Sequence, residues 1–289
     1  MKKIVCFGEI LMDILPNGNQ KIGGAPLNVA YHLKKLGVGS GIISRIGNDK
    51  EGEILLQFFK ENKLPTDLLQ RDGIYPTGRA IATLAGTNEM VYDIVFPSAW
   101  DFIAFDDTYR TILRTTDAFV FGSLATRNDV SRTSLYTILE YSSYKVFDIN
   151  IRKPHADMAV IGDLLSKSNL VKLNEVETKL LGEHFDFGNM ERQIVERLLE
   201  KFGVQEIIVT KGENGGTYYN AVTELNYQAV QVKVKDTVGS GDSFLAGFLK
   251  ERVQGAPIEK CLDTGSKLSG LITSLEGGCP DYNIKDIGL

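Results

Sequence analysis

With 289 residues, 43% hydrophobic and 24% charged, the chain is long enough to bury one large core and too apolar to remain disordered. Its net charge of −5 argues against general nucleic-acid binding, although anions can still be held locally. No run of about 18 apolar residues spans a membrane, and Gly8, Glu9 and Asp13 interrupt the N-terminal run too early for a signal peptide, so a cytoplasmic protein with no nucleic-acid or membrane partner is expected.

In chain order, buried strands are predicted at residues 4–7, 41–46, 118–121, 145–149, 170–173 and 206–210. Helices are predicted at about 25–36, 52–62, 132–141, 190–202, 244–253 and 258–275. This alternation implies an α/β fold, with a mainly parallel sheet and helices on both faces. From 66 to 97 the helical signal disappears. Residues 79–85 and 90–96 read as two strands joined by Gly86-Thr87-Asn88-Glu89, a hairpin signal. In the second, Met90, Tyr92, Ile94 and Phe96 point one way and Val91, Asp93 and Val95 the other. Such a hairpin is either an antiparallel edge of the main sheet or a small sheet that closes over a ligand and meets a partner on its outer face. Cys6, Cys261 and Cys279 have no zinc spacing and read as reduced thiols. His32, His155 and His184 lack ligand spacing, and Trp100 reads as packing.

Five constellations could carry chemistry. Asp13 follows the first strand, where a parallel sheet binds ligands, and a carboxylate there can accept from a polyol. Gly23-Gly24-Ala25-Pro26-Leu27-Asn28 opens a helix; the glycines permit close backbone approach and Asn28 both donates and accepts. Arg152 ends the run Asp148-Ile149-Asn150-Ile151-Arg152 and can meet a phosphate or a sugar oxygen, or serve in a structural ion pair. Asn174 and Glu177 share a face at a helix start, as a cap or as a hold on hydrated magnesium. Thr210-Lys211-Gly212-Glu213-Asn214-Gly215 is a hairpin turn or a nucleotide turn. Neither a Walker A spacing nor a dinucleotide glycine fingerprint is present.

The most informative stretch is Asp236-Thr237-Val238-Gly239-Ser240-Gly241-Asp242, between a strand-like run at 230–235 and the helix predicted from 244. Small residues before a helix N-terminus make an anion cradle. A carboxylate in such a cradle repels phosphate unless it takes a proton from the attacking hydroxyl.

Together these motifs resemble the ribokinase-like, pfkB-type carbohydrate kinase family over nearly the whole chain. Residues 23–47 resemble its N-terminal signature, with Gly23, Gly24, Asn28, Gly37 and Gly47 in place. Residues 236–249 resemble the C-terminal signature, with Ser240 where Ala is usual. Asn174 with Glu177, and Thr210 with Gly212 and Gly215, match two further motifs. The sugar-side motifs are most similar to fructokinases, except that Pro154-His155 stands where those carry a Leu-Trp pair.

The resemblance implies a single three-layer α/β/α domain over 1–289, with a small β-sheet lid from about 11–23 and 67–97. It implies ATP-dependent transfer to a primary sugar hydroxyl, with Asp242 as general base and the amides of Gly239, Ser240 and Gly241 stabilising the transferred phosphate. Asp13, Gly23, Gly24, Asn28 and Arg152 would hold the sugar, with Asn174, Thr210, Gly212, Gly215, Gly239 and Gly241 on ATP. Glu177 and Asn174 would hold Mg²⁺ through water, and Asp236, Val238, Ser274 and Gly278 a monovalent cation such as K⁺. A free aspartate titrates near about 3.9, so Asp242 is expected ionised at neutral pH. Alternatives are kinases of 2-keto-3-deoxygluconate or ribose, or an idle sugar- or nucleotide-sensing regulator. The apolar lid suggests a homodimer.

Overall fold

The computed structural model describes residues 2–84 and 90–288. Its main sheet has nine strands among these residues. In chain order the strands of the molecule are β1 (Lys3–Phe7), β2 (Leu11–Ile14), β3 (Gln20–Gly23), β4 (Gly39–Gly47), β5 (Leu69–Asp72), β6 (Gly78–Leu84) and β7 (Met90–Ile94). They continue with β8 (Ala118–Gly122), β9 (Lys145–Asp148), β10 (Leu170–Asn174), β11 (Glu206–Thr210), β12 (Gly216–Asn220) and β13 (Glu224–Tyr227). The main sheet runs β13-β12-β11-β10-β9-β8-β1-β4-β5, and every pairing from β11 to β5 is parallel. Its central strands are apolar on both faces because helices cover both.

One layer holds α1 (Ala25–Lys35), α2 (Lys50–Glu61), α8 (Ser240–Arg252) and α9 (Ile258–Thr273), packed with Ile4, Cys6, Val146 and Leu170 in one core. The other holds α3 (Thr108–Arg114), α4 (Asp129–Leu139), α5 (Met158–Ser166), α6 (Glu175–Phe185) and α7 (Glu191–Phe202), packed with Val5, Phe7, Phe147 and Val171. Alternate residues of one strand thus feed opposite cores. The helices α8 and α9 meet closely through Gly247 and Gly265, where a Cβ would lie 2.8 Å from the Thr264 carbonyl oxygen and 2.9 Å from that of Phe244.

A second sheet, β3-β2-β6-β7, stands apart from the first. The lid strands are therefore not an edge of the main sheet. The expected lid boundary at 67 shifts, because β5 pairs with β4 and extends the main sheet. The hairpin turn at 86–89, with Ala85, lies outside the described residues. The predicted strand at 230–235 is also absent: Lys235 donates its N–H to the Thr273 carbonyl at 2.9 Å, and Val230 packs beside Gly270, so this segment crosses α9 rather than joining a ladder. No helix among the described residues is long and apolar enough to cross a membrane. Trp100 is buried beneath the Arg127 guanidinium, 4.0 Å from it, and His32 is buried between Tyr282 and Gly278, as packing groups. Cys6, Cys261 and Cys279 are free thiols.

Candidate active site

The candidate residues converge at the carboxyl edge of the parallel sheet, where open α/β folds bind ligands. After β1 the chain enters β2, whose pairing sets Leu11 opposite Gly23 of β3. A Cβ on Gly23 would collide with Asp13 Oδ2, and one on Gly24, which sits at φ 113°, with the Glu9 carbonyl. Gly24 is thus required by space and by conformation, because backbone lies against it, whereas a side chain on Gly23 would displace the Asp13 carboxylate. Pro26 occupies the first turn of α1, and Asn28 follows on a buried face.

At the opposite wall, Gly239 adopts φ 76° and caps α8, and a Cβ there would lie 2.6 Å from the Gly278 Cα. The helix starts at Ser240 rather than 244, which places Asp242 inside its first turn. The amides of Gly239, Gly241 and Asp242 have no acceptor among the described residues, which, with the helix dipole, is an arrangement able to receive an anion. Ser240 departs from the expected cradle, because its N–H donates to the Thr237 carbonyl at 3.3 Å.

Asn28 joins the two walls. Its Nδ2 donates to Asp242 Oδ2 at 2.7 Å, and its Oδ1 lies 3.1 Å from the Cys279 thiol. Burial pushes the Asp242 carboxyl up to about 6, and Asp148 adds repulsion; Lys172, the Asn28 bond and Arg152 pull it back. Asp242 still ionises by pH 7, but with a smaller margin than a free aspartate. Burial likewise raises Asp13 to about 6 against Arg152 and Lys21, with Asp236 adding repulsion. Asp13, Lys21, Tyr92, Asp236 and Gly278 line a cleft of about 180 Å³ between the small sheet and the α8 loop.

Arg152 follows Asn150, which turns the chain at φ 43°, a conformation Asn tolerates better than most residues. Arg152 is exposed and has no hydrogen bond or ion pair among the described residues, while its charge reaches Glu9, Asp13 and Asp242. Asn174 caps α6 in a reciprocal box: its Oδ1 accepts from Glu177 N–H at 2.9 Å, and Glu177 Oε2 accepts from Asn174 N–H at 2.9 Å. Glu177 Oε1 accepts from Ile151 N–H at 2.8 Å. Thr210, Gly212 and Gly215 form the turn between β11 and β12. A Cβ on Gly215, at φ 78°, would collide with the Tyr227 carbonyl; Tyr227 and Gln228 in turn line a second cleft of about 260 Å³ with Leu262 and Ser266.

A family model described as pfkB family carbohydrate kinase matches residues 1–284. The chain belongs to the pfkB family of carbohydrate kinases. This kinase is 27% identical over 267 residues to a protein of Arabidopsis thaliana named probable fructokinase-5, covering 85% of this chain and 81% of the relative. It is 24% identical over 288 residues to a protein of Thermoanaerobacterium thermosaccharolyticum named ATP-dependent 6-phosphofructokinase, covering 92% and 86%. The crystal structure of fructokinase from Xylella fastidiosa with ATP bound superposes with TM-score 0.88 at 22% identity, over 99% of this chain and 96% of that one. That likeness shows the ribokinase-like fold.

Sequence reasoning passed over Glu9 and Lys172 of this kinase. Glu9 is 3% exposed with Oε2 unpartnered, and Lys172 is buried against both oxygens of Asp148. The available signal for Lys172 was a lysine inside an otherwise apolar strand, residues 170–173.

Proposed function

We propose that this kinase transfers the γ-phosphate of ATP to a primary hydroxyl of fructose, with Asp242 as general base. The observation that carries this reading is a carboxylate placed beside unpaired amides at one helix N-terminus and tied by Asn28 to the sugar-side wall. The sugar hydroxyl gives its proton to Asp242 as its oxygen bonds to phosphorus. The bond from phosphorus to the ADP oxygen breaks, ADP leaves, and Asp242 later returns the proton to solvent. In a loose transition state the base need not form a free alkoxide. The amides of Gly239, Gly241 and Asp242 oppose the charge on the moving phosphate.

Asp13, Asn28 and Arg152 hold the sugar in this reading, and Gly23 and Gly24 leave it space. ATP lies along the Thr210, Gly212 and Gly215 turn beside Asn174, with its nucleoside end toward the second cleft. No group of three or more His, Cys, Asp or Glu able to hold a metal is present among the described residues. Asn174 Oδ1 and the Glu177 carboxylate already accept from backbone N–H groups, which fits Mg²⁺ held mainly by phosphate and water oxygens, with these two behind the water. When bound, the ion neutralises phosphate charge. Asp236 already accepts from the N–H groups of Val238 and Gly277 and from Lys21, Ser274 Oγ donates to the Leu271 carbonyl, and the Gly278 carbonyl meets His32. K⁺ at that position would share donors already in use.

The unpartnered Arg152 favours one second reading, a sugar bearing an anionic group such as 2-keto-3-deoxygluconate. Initial phosphorylation rates on fructose, 2-keto-3-deoxygluconate, ribose and fructose 6-phosphate decide between them. Fructose is expected to give the highest kcat/KM. Fructose turnover far below another sugar sinks the first reading, and sugar binding without turnover of any sugar favours a sensing regulator. Ile81, 40% exposed on the small-sheet face opposite Tyr92, supports a homodimer through the lid; a monomeric mass at micromolar concentration counts against it.

A further inference from the structure

Lys172 has no part in the scheme above, yet it lies at the phosphoryl end of the site. It stands opposite Asp148 in the parallel register of β10 and β9, so both side chains leave the same face of the sheet. That face is covered by α8, since Leu170, two residues earlier, shares a core with Phe244 and Leu245. The ammonium lies 2.8 and 2.9 Å from the two Asp148 oxygens, with both side chains 8% exposed. A Cβ on Gly241 would lie 3.2 Å from Nζ, so the charge sits immediately behind the amide loop after Gly239.

Stability alone does not account for this placement. A buried ion pair loses in desolvation about what it gains in attraction, and apolar groups of the same volume serve a core as well or better. Burial works against the Lys172 charge, but Asp148, Asp242 and Glu177 outweigh it, and the ammonium is held protonated. Its field reaches Asp242 at the site of proton transfer.

We propose that Lys172 is a positioning residue for phosphoryl transfer, a fixed positive charge that keeps the Asp242 carboxylate in its proton-accepting form and backs the Gly241 amide toward the incoming phosphate. This rests on the reading of Asp242 as the base. The groups facing Asp242 come from several elements. Asn28 of α1 bonds it, and Arg152 after β9 attracts a proton-free carboxylate. Asp148 of β9 and Glu9 after β1 repel it. Cys6 and Cys279 also face it, but burial pushes both thiols up and keeps them neutral. Without Lys172 the repulsion from Asp148 stands uncompensated, and Asp242 holds its proton to higher pH.

The test is the pH profile of kcat/KM for Lys172→Met and for the double variant Asp148→Asn/Lys172→Met, with Asp242→Asn as control. Lys172→Met is expected to move the acid limb up by about one pH unit or more and to lower the rate at neutral pH by roughly 10-fold to 100-fold. The double variant, which also removes the opposing charge, should return the limb toward its original position while its plateau rate stays low. An unmoved limb in folded Lys172→Met overturns the proposal and leaves a structural pair. If the single variant does not fold, the double variant decides alone, and a wild-type plateau rate there overturns it. Asp242→Asn separates the two ideas: full activity in that control removes the base itself, whereas a dead control beside an unmoved limb removes only the role of Lys172.

Discussion

Glu9 lies just beyond the first strand with one carboxylate oxygen, Oε2, buried and unpartnered. Burial raises it to about 7; its own backbone N–H, Arg152 and Arg127 pull it back, and Asp242 adds repulsion. The folded value lies above the unfolded one, so the folded state binds the extra proton. The contribution to stability is complete below the ordinary carboxylate range and is lost as pH rises through about 7. Glu9→Gln, which cannot ionise, should therefore be more stable than the parent at pH 8 by on the order of 1–3 kcal/mol, with little difference near pH 4. Urea unfolding at the two pH values measures this, and an equal difference at both contradicts it. At this scale Asp13, Asn28 and Asp242 were legible because their neighbours mark strand ends and a helix N-terminus. Lys172 was not, because its partner Asp148 is 24 residues away and strand pairing alone brings them together.

Among the elements, α8 shows why a loop-like sequence can begin a helix. Gly239-Ser240-Gly241 has low helix propensity, yet a first turn needs no internal acceptors for its N–H groups, and here those of Gly239 and Gly241 are left for the proposed anion site while Ser240 turns its own to Thr237. The position of Asp242 depends on how α8 seats against α9 through Gly247 and Gly265. Gly265→Val would force Phe244 and the first turns of α8 outward. A loss of about 1–3 kcal/mol is expected, together with a lower kcat at saturating substrates. Thermal unfolding and steady-state rates check it, and a stable variant with unchanged kcat would show that the close approach does not position the carboxylate. The helix α6 was read from its cap alone because its pattern is inverted: Val176 is 75% exposed and Glu177 buried. The reversal follows from the capping box and the bond to Ile151, which draw Glu177 inward.

Across the molecule, the main sheet was legible because its central strands are apolar on both faces, a pattern that demands covering helices. The short strands were not. β2 and β3 are four residues each and mix apolar with polar groups, and β2 finds its parallel partner only in β6, across the α1–α2 segment. This long-range pairing sets Tyr92 of β7 over the same cleft as Asp13 and the α8 loop, so the groups proposed to hold sugar and phosphate meet only in the assembled fold. Asp242 is the group they share. Single-turnover phosphoryl transfer by Asp242→Asn, beside calorimetric sugar binding, tests that directly. Transfer is expected to fall by roughly 10²-fold to 10⁴-fold or more while sugar binding persists; transfer at the parent rate would contradict it.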